Sequence, residues 1–203
     1  MHTYLALGDS YTVGELVPLR FSFPYQAVQL LREAGLPFAA PEIVAKTGWT
    51  TDELAAALSE YSFLPSYDFV SLLIGVNNQY RGRSASEYAT QFEELLKKAL
   101  HFAGGQPRRV AVLSIPDYGV TPTGQAMDPG KIAREIDEFN RINRSISGQH
   151  GVHYIEITEG SREALHDPGL IAEDKLHPSG KEYAKWARKL AGEWRERSMV
   201  NGE

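Results

Sequence analysis

The chain contains no cysteine, which excludes disulfides, cysteine-based zinc sites and a thiol nucleophile together. Long apolar runs are missing too. The longest are strand-sized, far short of the roughly 20 residues that span a bilayer, so no integral membrane segment is expected. There is no run of lysine and arginine and no aromatic-rich basic stripe, and a formal net charge of -5 gives nucleic acid no electrostatic hold. The opening MHTYLALGDS lacks a cationic start leading into an apolar segment, which makes the cytoplasm the expected compartment; an exported fragment stripped of its signal would read the same way. Repeats, linkers and a second domain are also lacking.

What is present is ordinary for a globular protein: 203 residues, 42% hydrophobic and 23% charged. Independent cores generally arise only beyond about 250 residues, so residues 1–203 are expected to form a single domain. Short apolar runs alternate with amphipathic stretches. Strands are expected over Tyr4 to Leu7, Glu42 to Ala45, Phe69 to Ile74, Val110 to Ile115 and Val152 to Ile157. Phe69 to Ile74 is almost wholly apolar, the mark of a central parallel strand covered on both faces.

Between the strands, Pro24 opens a helix with Tyr25, Val28 and Leu31 on one side. Thr50 with Glu53, and Ser84 with Glu87, have capping-box spacing. The first pair predicts a helix whose Leu54, Leu58 and Tyr61 share a face; the second predicts one with Tyr88, Phe92, Leu95, Leu96 and Ala99 repeating at helical intervals. Asp128 and Pro129 start another, with Ile132, Phe139, Ile142 and Ile146 inward. From Ser179, residues Tyr183, Trp186, Ala187, Leu190 and Trp194 share a face that should dock on the sheet. The alternation implies a parallel sheet between helical layers, whose ligands sit beyond the carboxyl ends of the strands.

Just past those ends stand Gly8-Asp9-Ser10, Thr47-Gly48 and Gly75-Val76-Asn77-Asn78, and Asp174-Lys175-Leu176-His177 precedes the last helix. Taken singly, each has a bland explanation: a turn glycine, a capping serine, a loop asparagine. Together they supply a serine, a carboxylate and a histidine, the parts of acyl transfer, with glycine backbone and an asparagine amide, the parts of an oxyanion hole. Asp174 and His177 are spaced to bring both side chains to one side of a turn. His150 and His153 flank the expected fifth strand, His166 lies too close to Asp167 to share a face with it, and His2 and His101 lie elsewhere, so His177 is the best-placed histidine.

LALGDSYTVGE, TGW, IGVNN and DKLHPSG follow one another in the order of the signature blocks of the SGNH/GDSL hydrolases, and the chain resembles that family from residue 5 to residue 180. The resemblance implies a three-layer α/β/α sandwich, a flavodoxin-like parallel sheet of about five strands. It also implies Ser10 as nucleophile, Asp174 and His177 as its partners, and Ser10, Gly48 and Asn77 as the oxyanion hole. One position departs from the pattern: Asn78 stands where the family usually has an acid, which bears on loop electrostatics more than on the reacting groups.

On this reading the protein is a serine esterase that takes a small-molecule ester and needs neither metal nor cofactor. His177 deprotonates Ser10, Asp174 fixes the imidazole tautomer, and water releases the acid from an acyl-enzyme. The rivals lack their motifs: no serine sits in GxSxG, and no P-loop or GxGxxG follows the first strand. A module that binds an acylated glycan or a protein without turning it over is the non-enzyme alternative. Substrate contacts are expected from Tyr80, Arg81 and Tyr118, beside strand ends. The polar loop from Asp117 to Gly130 offers little cover for a long acyl chain, so short acyl groups are expected. Oligomeric state and the natural ester are left open by the sequence.

Overall fold

The computed structural model describes residues 1–200. Its sheet comprises β1 (Tyr4–Gly8), β2 (Glu42–Ala45), β3 (Phe69–Leu73), β4 (Val110–Leu113) and β5 (His153–Ile155), all parallel, in the order β2-β1-β3-β4-β5. Every residue of β1, β3 and β4 is buried, which is why those strands read as unbroken apolar runs. The polar exception, Ser71, shares a 2.7 Å hydrogen bond with the Tyr4 hydroxyl.

The helices in chain order are α1 (Ser10–Val13), α2 (Phe23–Glu33), α3 (Thr51–Ala57), α4 (Val76–Tyr80), α5 (Ala85–Phe102), α6 (Pro122–Gln125), α7 (Pro129–Gln149), α8 (Thr158–Ser161) and α9 (Gly180–Val200). Right-handed crossovers decide their layers. The step from β1 to β2 runs one way across the sheet and every later step runs the other way, so α2 is put on one face and α3, α5 and α7 on the opposite one. The packing follows: α5 lies against both α3 and α7, and α9 joins α2. Tyr183, Trp186, Ala187, Leu190 and Trp194 of α9 are buried, with Trp194 edge-on to Tyr4 at 4.6 Å between ring centroids. This is the three-layer α/β/α architecture expected from the sequence.

Local signals explain the helix starts. The Thr50 N–H donates to Glu53 at 2.9 Å, Ser84 accepts from the Glu87 N–H at 3.2 Å, and Asp128 accepts from the Lys131 N–H at 2.9 Å. Three expectations need correction. The α3 helix ends at Ala57, so Tyr61 lies beyond it and is half exposed. On α7 the buried residue is Asn143 and Ile142 is only partly covered, because Asn143 donates to the Tyr88 hydroxyl at 3.1 Å and accepts from that of Tyr154 at 2.6 Å. The last three strands are also shorter than their apolar runs: Ile74 and Ile115 are buried beyond the ends of β3 and β4, and β5 is confined to His153–Ile155, so His153 begins it instead of flanking it.

Candidate active site

The register of the sheet brings the site together. Gly8 at the end of β1 pairs with Ala45 of β2 on one side and Leu73 of β3 on the other, so the loops after these strands open onto one rim. Strand order reverses at β1, and the crevice this creates is the expected ligand position.

Ser10 is the first residue of α1, held by a tight strand-to-helix turn. A Cβ on Gly8 would lie 2.1 Å from Thr12 Oγ1 and 2.4 Å from the Leu73 carbonyl oxygen, so only glycine fits there. Asp9 caps α1, its Oδ1 accepting from the Tyr11 N–H at 3.1 Å. Its Oδ2 has no hydrogen-bond partner among the described residues, and the side chain is fully buried. Desolvation outweighs the Tyr11 hydrogen bond and raises the Asp9 pKa to about 7. As the opening residue of α1, Ser10 has a backbone N–H with no intrahelical acceptor.

Gly48 adopts a left-handed conformation, φ +87°, and the Trp49 N–H reaches back to the Lys46 carbonyl at 3.2 Å to close the turn. Asn77, in the first turn of α4, donates through Nδ2 to the Trp49 carbonyl at 2.9 Å. Its neighbour Asn78 is buried and serves the other direction: Oδ1 accepts from the Thr51 N–H at 3.0 Å and Nδ2 donates to Thr51 Oγ1 at 2.6 Å. Both ends of the amide are used, so Asn78 anchors the start of α3 without a buried charge.

His177 approaches from the far end of the chain. Its Nε2 lies 3.1 Å from Ser10 Oγ, and its Nδ1 lies 2.5 Å from Asp174 Oδ2. Lys175 takes φ +65° between them, and Asp174 Oδ1 accepts the N–H groups of Leu176 and His177, each at 3.0 Å. Burial works against the Asp174 charge, but the imidazole and these two N–H groups outweigh it and hold its carboxyl below the usual range. Tyr11 packs edge-on against the His177 ring at 6.1 Å, backed by Trp186.

Ser10, Gly48, Asn77 and His177 thus line one cleft of about 240 Å³, with Tyr80 and Tyr118 in its wall. Arg81 is turned away from the cleft lining, onto the Gly48 carbonyl at 2.6 Å and Glu53 at 3.1 Å. Thr123 and Met127 border the cleft from the Asp117–Gly130 loop that the sequence set beside a strand end, whereas Tyr11, behind the imidazole, was not singled out by sequence reasoning. Only the GDS block itself pointed at Asp9. Among the described residues no group of histidine, aspartate and glutamate could hold a metal ion, and no helix is long and apolar enough to cross a membrane.

The profile of the GDSL-like Lipase/Acylhydrolase family matches residues 6–185. The chain belongs to this family, and it is a carboxylic ester hydrolase. Compared with curated proteins by sequence, it matches none. Solved structures of similar fold include a lipase/acylhydrolase from Enterococcus faecalis, 18% identical, covering 97% of each chain with a TM-score of 0.76. The acetylxylan esterase Axe2 from Geobacillus stearothermophilus is 21% identical, with 95% of this chain and 93% of that one covered and a TM-score of 0.74. TesA is 18% identical, with 96% and 98% covered and a TM-score of 0.73.

Proposed function

We propose that the protein hydrolyses small carboxylic esters of short acyl groups through an acyl-enzyme on Ser10. The observation that carries this reading is the continuous contact from Ser10 Oγ through the His177 ring to Asp174. A serine hydroxyl is a weak nucleophile until a base takes its proton, and Nε2 of His177 is within reach of that proton. Asp174, kept ionised, holds the proton on Nδ1 and stabilises the imidazolium that forms. Attack on the ester carbonyl gives a tetrahedral oxyanion, received by the N–H groups of Ser10 and Gly48 and by the Asn77 amide, whose second hydrogen is oriented because Trp49 takes the first. His177 then protonates the departing alcohol, and water activated by the same imidazole releases the acid.

The cleft of about 240 Å³, walled by Tyr80 and Tyr118, is of a size suited to a small ester. Axe2 is an acetylxylan esterase, which makes an acetyl ester a sensible first substrate here. A fluorophosphonate probe should label wild-type protein on Ser10 and leave Ser10→Ala unlabelled. Absence of labelling, together with no hydrolysis of p-nitrophenyl acetate, would overturn the proposal.

A further inference from the structure

We infer that Arg81 is a positioning residue that holds the two oxyanion donors, Gly48 and Asn77, in register with each other; the inference rests on the serine-esterase reading above. Three contacts of this one residue motivate it. Its backbone N–H donates to the Asn77 carbonyl at 3.0 Å, its Nη2 donates to the Gly48 carbonyl at 2.6 Å, and its Nη1 donates to Glu53 at 3.1 Å. Glu53 in turn accepts from the Thr50 N–H at 2.9 Å, so the guanidinium is braced against the start of α3. Arg81 therefore bridges the helix that carries Asn77, the turn that carries Gly48, and the helix that follows that turn.

The turn needs such a bridge. Lys46 to Trp49 is closed by a 3.2 Å hydrogen bond with Gly48 at its third position and φ +87°, the pattern of a type II turn. The N–H that would face an oxyanion belongs to the central Thr47–Gly48 peptide. Types I and II differ by rotation of that peptide, and glycine accepts either at little cost, so an unrestrained turn would spend part of its time with the donor pointing elsewhere. Two contacts bracket the peptide: the Thr47 hydroxyl bonds Glu15 before it, and Arg81 pins the Gly48 carbonyl after it. The Trp49 carbonyl, next along, is held by Asn77 itself.

The planar fork of arginine suits this task, because one nitrogen serves a carbonyl while the other meets a carboxylate. The Arg81–Glu53 pair is exposed on both sides, 42% and 39%, so it adds little to stability. Its effect belongs to geometry, where displacing a group by about 1 Å can cost about 10²-fold in rate.

The test uses the full chain, with Arg81→Gln and Arg81→Lys beside wild type, on p-nitrophenyl acetate. The glutamine variant should lose about 10- to 100-fold in kcat with KM changed less than about threefold. Affinity for a trifluoromethyl ketone, which forms a tetrahedral adduct, should fall by the same factor as kcat/KM, while Tm stays near that of wild type. Lysine should restore part of the loss by keeping one donor on Gly48. Unchanged kcat in the glutamine variant, a loss confined to KM, or an unaltered ketone affinity would each overturn the inference. Failure of the esterase reading looks different, because wild type itself would then show neither turnover nor probe labelling.

Discussion

His177 Nε2 and Ser10 Oγ lie 3.1 Å apart although 167 positions of chain separate them. The serine is fixed by the turn after β1, and the histidine by a short antiparallel bridge between Ile171 and Pro178 and by the 2.7 Å hydrogen bond from the Ala172 N–H to the His177 carbonyl. Neither side chain depends on the other for its place. Ser10→Ala and His177→Ala should therefore each lower kcat by about 10⁴-fold or more, and the double variant should be little worse than either single one. Steady-state rates on p-nitrophenyl acetate, with circular dichroism to show an intact fold, measure this; simple additivity would mean that the two residues act separately.

Asp174→Asn keeps the turn but reverses one contact. The amide oxygen can still accept the N–H groups of Leu176 and His177, while its NH₂ then faces Nδ1 and favours the imidazole tautomer with the proton on Nε2. The expected result is a loss on the order of 10⁴-fold in kcat at unchanged Tm. A loss of less than tenfold would show that some other acceptor orients His177.

For Asn77→Ala the loss should be about 10²- to 10³-fold in kcat with a smaller change in KM, because in the proposed mechanism the amide acts on charge that develops only in the transition state. An effect confined to KM would recast the residue as a clamp on the ground-state ester.

Asp9 makes stability depend on pH in a definite sense. Its pKa is raised to about 7 in the folded protein from the ordinary 3.8, so between about pH 4 and 7 the native state binds more protons than the unfolded one. Its contribution is most favourable below that window and is lost as pH rises through it. Asp9→Asn removes the titration, so Tm should fall less between pH 5 and pH 8 in the variant than in wild type, and at pH 8 the variant should be the more stable. Parallel Tm curves for the two proteins would show that the buried carboxyl stays ionised across the range.

Chain-length preference tests the reading of the cleft. Initial rates on p-nitrophenyl esters from C2 to C16, kept below their solubility limits, should peak at acetate to butyrate. A peak at C12 or longer would mean that the segment around Thr123 and Met127 moves aside to extend the cleft.

Much of this was legible in the sequence because burial on both faces leaves an uninterrupted apolar run, and because Ser10, Gly48 and Asn77 come soon after the first three strand-forming runs. The ends of the strands were less legible: Ile74 and Ile115 are apolar for the sake of the core, not of pairing, and hydropathy does not separate the two. Asn143 was hidden for the converse reason, being a polar side chain buried through its partners Tyr88 and Tyr154. Arg81 looked like a substrate contact because it follows a strand's carboxyl end; that its guanidinium reaches back to Gly48, 33 positions earlier, depends on tertiary direction, which no local pattern records. Asn78 kept its place in the signature while changing its charge, and its two bonds to Thr51 explain how an amide serves there.

The wide separation of the reacting residues along the chain also ties activity to the history of each molecule. During synthesis the turn bearing Ser10 is made early and the turn bearing His177 late, and α9, which buries Trp186 behind Tyr11, later still. On the proposed mechanism, a nascent or partly unfolded chain would carry Ser10 without His177 beside it and would not attack an ester. Hydrolysis would then begin only when the two ends of the fold meet, so the rate of a simple colorimetric assay should count completed molecules and follow refolding in real time.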